Sequence, residues 1–386
     1  MNEIVCTGLD GANPLHVLAT FGLLHLSDRI VPGTALSWRR SNGAWRPVLH
    51  ITSNTKEHLD SIAAWLIALG KTGSADPALA KGIGREKATL KKLRQDNKDR
   101  SRAAKAEAKA AKLIGADAAA LVADQTNAIT VEICQREKVL EDLQGRLATA
   151  LGVGIAHLGD IIGTKAEVVR QVNQAATMAC RQLSSEIAPC PDDSILVAAH
   201  AAALACDQVT DDGKVVPTPY SFGNGSSGQN LLKDFRSIAT AITLAQVQGT
   251  LLGTDARWVK DGTALNWDPL DQRSYALTWE DPATSGKLVN AAANALAYVG
   301  LALLPAMPIG KSLGAVAWGD YDGWTWPIWE SMLSVSVVRS LLAHTDLQAE
   351  RPNAQAWCHR GVIEIRRCCR INPTGKRSFF APSRPV

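Results

Sequence analysis

Apolar residues recur along this chain at two different periods, and the period changes mark out its elements. Residues 4–7 form a short apolar run that reads as a strand, followed by the turn-prone Gly8-Leu9-Asp10-Gly11. Leu15, Leu18, Ala19, Gly22, Leu23 and Leu26 then fall on one helix face, after an Asn13 N-cap and Pro14 at the first helical position. Residues 36–40 and 44–49 flank Ser41-Asn42-Gly43, and two alternating runs around Asn-Gly predict a β-hairpin. A second apolar helix is expected over 57–69.

From about residue 83 the pattern changes. Residues 85–152 contain no proline and are rich in Ala, Lys, Arg, Glu, Leu and Gln, with Gly115 and Gly145 as expected breaks. Helical character continues over 163–187 until Pro189 and Pro191 stop it. Further helices are expected at 194–206, 231–252, 287–304 and 335–342. Extended runs are expected at 215–220, 275–279 and 362–366. The fold class expected is α+β: a mixed α/β body with a long basic helical insertion, either a hairpin or a small bundle. The divisions are an N-terminal α+β segment (1–80), the insertion (81–190), the rest of the body (191–359) and a basic C-terminal tail (360–386).

Composition changes that picture in one respect only, the placement of charge. The formal net charge is +4, yet residues 81–112 hold twelve Lys/Arg against four Asp/Glu, and residues 360–386 hold seven against one. Cations concentrated this way suit a polyanion, because phosphate binding releases condensed counterions. A solvated helix face and a ragged tail are the plain alternative. The candidate contacts are Lys91, Lys92, Arg94, Lys98, Arg100, Arg102 and Lys105 on the helix, Arg39, Arg40 and Arg46 on the hairpin, and Arg366, Arg367 and Arg370 near the end. The hairpin arginines are expected on one surface, with Trp38 and Trp45 packed inward.

The glycine-rich stretch 223–230 supplies Gly225, Ser226, Ser227, Gln229 and Asn230 as further phosphate candidates, since backbone N–H groups before a helix favour anions. Gln229 and Asn230 occupy the places where a P-loop needs Lys and Ser/Thr, so ATP hydrolysis is not expected. Cys358, His359, Cys368 and Cys369 match no common zinc spacing, and no nucleophile–base motif is visible, so neither a metal nor a cofactor is expected. Asp268, Asp271, Glu280 and Asp281 are the acidic residues that would matter if a dispersed active site existed, although Asp268 before Pro269 also fits turn chemistry. Eleven tryptophans include four within 318–329, which read as core more readily than as stacking platforms. No signal peptide or membrane span is apparent, and eight cysteines without framework spacing fit a reducing cytoplasm.

Thr7-Gly8-Leu9-Asp10-Gly11-Ala12-Asn13-Pro14-Leu15, running into Leu18-Ala19-Thr20-Phe21-Gly22-Leu23-Leu24, resembles the N-terminus of subunit proteins from type I-G (formerly I-U) CRISPR loci. Ser37-Trp38, Trp45-Arg46-Pro47, Gly228-Gln229, Trp267-Asp268-Pro269 with Arg273-Tyr275-Ala276-Leu277, and Trp326-Pro327-Ile328-Trp329 are similar to other landmarks of such proteins. The similarity spans about a third of the chain, in patches, and brings no catalytic motif. It implies a large-subunit-like component of a crRNA-guided antiviral complex. Such a component touches crRNA and target DNA, helps read the flanking motif, and sits among other subunits with no membrane role. A nucleic-acid enzyme with dispersed acidic residues and a protein-binding scaffold remain the alternatives.

Overall fold

The computed structural model describes residues 1–71, 77–149, 199–200, 202–204, 206, 216, 218–222, 230–271, 288–309, 312–372 and 378–386. It is mixed helix and strand, as the α+β expectation requires. The chain divides into two units: Met1–Thr72 with Gly154–Val386, and Gly73–Val153.

In the larger unit, β1 (Asn2–Val5), β2 (Ala35–Ser41) and β3 (Ala44–Ile51) join β10 (Leu333–Ser334) in an antiparallel sheet of order β1-β3-β2-β10. The β2–β3 turn places Asn42 at φ 51° and Gly43 at φ 78°, the two positive values that the Asn-Gly signal called for. Helix α1 (Pro14–Ile30) begins as expected, with Asn13 Oδ1 accepting from the Leu15 and His16 amides. It crosses α7 (Ala291–Gly300), a helix buried along its whole length. The crossing depends on two glycines. A Cβ on Gly22 would lie 1.8 Å from the Leu296 carbonyl oxygen, and one on Gly300 would lie 2.2 Å from that of Leu18. Helix α2 (Thr55–Lys71) packs nearby, together with α5 (Asn230–Ala241) and α6 (Leu244–Leu252).

A second antiparallel sheet runs β12 (Phe379–Phe380), β11 (Val362–Ile371), β9 (Gly323–Trp329), β8 (Trp318–Gly319), with β13 (Arg384–Pro385) also paired to β11. All seven residues of β9 are buried. Its indoles tie it to the N-terminal segment: Trp326 Nε1 donates to Gly11 O, in the turn before α1, at 3.0 Å, and Trp329 Nε1 donates to Leu36 O of β2 at 2.9 Å. The smaller ribbons β4 (Trp258–Lys260) with β5 (Leu288–Asn290), and β6 (Ala306–Ile309) with β7 (Ser312–Ala315), complete the strands described. Helices α8 (Val335–Leu342) and α9 (Ala354–Cys358) flank β10 and β11.

Several elements differ from expectation. Strand β9 shows no alternation because both of its faces are buried, and Pro327 hides it further. That proline lies opposite Ile365, beyond the point where β8 pairs. The helix expected over 231–252 breaks because Thr243 and Gln246 form a capping box that restarts it. The helix expected from 287 begins only at Ala291, where Asn290 caps it by accepting from Ala293 N. Residues 275–279 and 163–187, most of 194–206, and residues 215 and 217 of the run expected at 215–220 lie outside the described residues.

The smaller unit is a helical hairpin of α3 (Pro77–Ala110) and α4 (Ala116–Thr149), each of 34 residues. At 1.5 Å per residue each helix is about 50 Å long. Gly115, at φ 61°, lies in the turn between them. Gly145 does not break α4, since one glycine costs only about 1 kcal/mol against alanine. Ile83, Leu90, Ala104 and Ala108 on α3 and Ile129 on α4 are buried along the seam. Half-buried Leu93, Asn97 and Ser101 fill the seam between them at steps of three and four residues.

Candidate nucleic-acid interface

The cations of α3 are sorted by the seam. Lys91, Arg94, Lys98, Arg102, Lys105 and Lys109 are separated by three, four, four, three and four residues, so they line one face beside the seam. All six are exposed. Lys92 and Arg100, grouped with them by sequence, point about 100° and 180° away from Lys91. Lys109 belongs to the row and was not among the residues singled out by sequence. Six cations thus follow a line about 27 Å long.

That row is electrostatically unfavourable for the helix itself. Like charges at i, i+3 or i+4 each destabilise a helix by about 0.2–0.5 kcal/mol, and the row makes five such steps, so the total is roughly 1–2.5 kcal/mol. The neighbouring helix relieves little of this. Arg94 meets the half-buried Glu137 of α4 at 2.7 Å, and Arg102 lies 3.8 Å from Asp99 of α3 itself, pairs at the surface worth at most about 1 kcal/mol each. Lys91, Lys98, Lys105 and Lys109 have no ion pair among the described residues. Arg136 of α4 reaches Glu86 at 3.0 Å and thereby occupies an α3 carboxylate. A face that served solubility alone would alternate sign along this line.

The β-hairpin arginines do not share one surface, contrary to expectation. Neighbouring strand residues point to opposite faces, and Arg39 is registered against Arg46 while Arg40 is registered against Trp45. Arg39 and Arg46 therefore lie on one face, and Arg40 lies on the face of Trp38 and Trp45. Arg39 donates to Glu3 Oε2 at 2.7 Å and holds that carboxyl below the usual carboxylate range. Arg46 donates to Leu9 O at 2.8 Å and so fixes the turn before α1. The Arg40 guanidinium sits 6.0 Å from the Trp45 ring.

The arginines expected in a basic tail lie instead on β11, paired on one side with β9. Arg367 is 4% exposed. It donates to Thr325 Oγ1 at 3.0 Å, Glu350 O at 2.7 Å and Ala349 O at 2.6 Å, and lies 3.8 Å over the Tyr321 ring. Arg370 makes a two-pronged contact with Asp322 at 2.7 and 3.0 Å and donates to Pro219 O at 3.3 Å. Arg366 pairs with Glu364 and donates to Ser383 Oγ at 3.0 Å. These guanidiniums hold the sheet's neighbouring segments in place.

Gly225, Ser226, Ser227 and Gln229 lie outside the described residues, and Asn230 opens α5. Trp318, Trp324, Trp326 and Trp329 are core residues, as are Trp38, Trp45, Trp267 and Trp357. Among the described tryptophans only Trp65 and Trp258 are partly exposed. Cys368 is buried, with its thiol pushed well up by desolvation, while Cys358 is exposed. Among the described residues no three His, Cys, Asp or Glu side chains converge as a metal set. No described helix is long and apolar enough to cross a membrane. No protein-family model matches this chain, and no curated protein matches it.

Proposed function

We propose that this chain is a nucleic-acid-contacting, non-catalytic subunit of a crRNA-guided ribonucleoprotein, and that it grips phosphate backbone along α3. The exposed cation row of α3, four of whose six members have no ion pair among the described residues, carries the first part of this reading. Its spacing sets a positive charge roughly every 5.5 Å along the helix, a repeat suited to a linear polyanion. Side chains on that line carry no base-specific geometry, so the contact positions a backbone and leaves sequence reading to other groups. Membership of a crRNA-guided complex, with crRNA, target DNA and further subunits as partners, rests on the N-terminal resemblance and agrees with such a positioning role.

The test is the salt dependence of binding to single- and double-stranded RNA and DNA of mixed sequence. About four to six phosphate contacts give a log–log slope of roughly −3 to −5. A slope near zero overturns the backbone contact. Co-expression with a CRISPR array and its neighbouring genes tests the complex: the chain should co-purify with crRNA, and its absence from any crRNA-bearing particle overturns that assignment.

A further inference from the structure

Helix α4 uses only one of its faces within the hairpin. Leu121, Val122, Ile129, Ile133 and Leu140 are buried or half-buried along the seam. Val131 lies about 160° around the helix from Ile129, so it points away from α3, and it is 49% exposed. Asp124, Asn127, Ala128, Cys134, Gln135 and Lys138 surround it on the same outward stripe, and all six are exposed. Between Asp124 and Lys138 this stripe carries no charge. The outward face of α3 is charged instead, with Arg85, Lys92, Asp96 and Asp99 exposed on it. Solvated helix faces are ordinarily polar, and valine is a poorer helix former than alanine, lysine or glutamate. Solvation alone therefore gives no reason for Val131 or for the uncharged stretch around it.

The two charges that bound the stripe are opposite in sign and equidistant from its centre. Asp124 precedes Val131 by seven residues and Lys138 follows it by seven, about 10.5 Å each way along the axis. Seven residues are nearly two turns, so both side chains leave the helix within about 20° of Val131. Neither has an ion pair among the described residues. A two-fold axis through Val131, perpendicular to α4, lays a second α4 antiparallel on the first. Asp124 of each copy then meets Lys138 of the other, a self-complementary arrangement of the kind that two-fold interfaces require. Beside the central Val131 pair, Ala128 faces Gln135 of the second copy and Asn127 faces its Cys134, with no charge between them. Parallel pairing in register would instead oppose Asp124 to Asp124 and Lys138 to Lys138.

We propose that two copies of this chain associate through the outward face of α4, antiparallel about a two-fold axis at Val131. The uncharged centre of the stripe supplies the buried surface. The two Asp124–Lys138 pairs fix direction and register more than they add affinity, as charges flanking a helix seam do. A single helix pair covers less than the roughly 800 Å² per partner of a standard interface, so the dimer is weak and depends on concentration. The contact lies on the side of α4 away from α3 and leaves the Lys91–Lys109 row uncovered. A dimer therefore carries two such rows running in opposite directions, and two linked sites bind a polymer more tightly than either alone. This goes beyond the backbone reading and does not depend on it.

The test is sedimentation equilibrium of the full, nuclease-treated chain across its soluble concentration range. The average mass is expected to rise from one monomer towards two. Val131→Glu puts two carboxylates on the axis and should leave a monomer throughout, with circular dichroism showing unchanged helix content because the side chain is exposed. Asp124→Lys should weaken association about tenfold. Adding Lys138→Asp to that variant should restore it, because the exchanged charges still meet. Val131→Cys should form a disulfide between copies under mild oxidation, located at position 131 by mass spectrometry. The two Cys134 residues lie about 9 Å apart along the axes, beyond the roughly 7 Å that a disulfide spans, and should stay reduced. A constant monomer mass overturns the proposal, as does a dimer that survives Val131→Glu or a charge exchange that fails to restore association. A monomer with the expected salt slope removes this interface alone and leaves the backbone reading standing. A dimer with these responses but no salt slope does the reverse.

Discussion

Residues 81–112 and 360–386 look alike as sequences, with twelve Lys/Arg against four Asp/Glu in one and seven against one in the other. Their side chains end in opposite situations. On α3 the cations of the Lys91–Lys109 row are exposed, and four of the six have no ion pair among the described residues. On β11 the three arginines are taken up by the fold: Arg367 by two carbonyls and a threonine hydroxyl, Arg370 by Asp322, Arg366 by Glu364 and Ser383. A guanidinium whose donors are already satisfied gains little from a phosphate, because it must first give up those bonds. Local charge density is thus a poor guide to an interface, and the inventory of partners is a better one.

Four experiments sharpen or break that contrast. The largest effect is expected from Lys91, Lys98, Arg102 and Lys105 all changed to Glu. Removing about four phosphate contacts should flatten the salt slope by roughly four units and lower affinity about a thousandfold near 0.1 M salt. Thermal stability should hardly change, because these side chains are exposed and like-charged in the native helix. An unchanged slope would mean that α3 is only solvated.

The converse variant is Arg367→Met. It leaves the Glu350 and Ala349 carbonyls short of a partner and takes one of two from the Thr325 hydroxyl, at a cost of about 3 kcal/mol and a fall in Tm of roughly 5 °C. The salt slope of the folded protein should stay the same. A normal Tm with weakened nucleic-acid binding would make β11 a second interface and end the contrast.

Acid should separate the two regions again. Burial pushes the His25 imidazole down to about 3, and burial also lowers His16, His50 and His58 in the same unit. Unfolded histidine takes up its proton near pH 6.5, so the stability held by neutral His25 is complete above that pH. It is then lost progressively as pH falls from about 6.5 towards 3, amounting to about 2 kcal/mol at pH 5. Residues 77–149 contain no histidine. Near-ultraviolet circular dichroism should therefore show the tryptophan-rich body melting earlier at pH 5 than at pH 7, and His25→Leu should reduce that difference. Equal melting at both pH values would contradict the shift.

The smallest effect is a gain. Asp322→Asn removes the carboxylate that holds Arg370 on the surface, where that aspartate is 50% exposed. A released guanidinium adds at most one phosphate contact, so affinity should rise no more than about threefold at low salt and the slope should steepen by less than one unit. A larger gain would mean that the β11 arginines lie closer to a nucleic-acid path than their pairing suggests.

Local signals carried much of the architecture. Asn13-Pro14, the Asn42-Gly43 turn, the helix-forming run after residue 83 and the Gly115 turn each describe a neighbourhood of a few residues, and all appear as expected. Strand β9 was illegible because its burial on both faces comes from partners more than 280 residues away in sequence, Gly11 and Leu36, so no alternation marks it. Within the candidate interface, the heptad spacing of Ile83, Leu90, Asn97 and Ala104 was present in the sequence. With it in hand, Lys109 could have been added to the row and Lys92 and Arg100 set aside.

By itself, then, the sequence determined which segments are helical, where the first hairpin turns, and how many cations each region holds, because propensity, turn chemistry and charge are properties of neighbouring residues. Only the tertiary structure decided which cations remain free. The acceptors that occupy Arg367 and Arg370 come from distant parts of the chain, and hydrogen-bond satisfaction depends on what folding brings within about 3 Å.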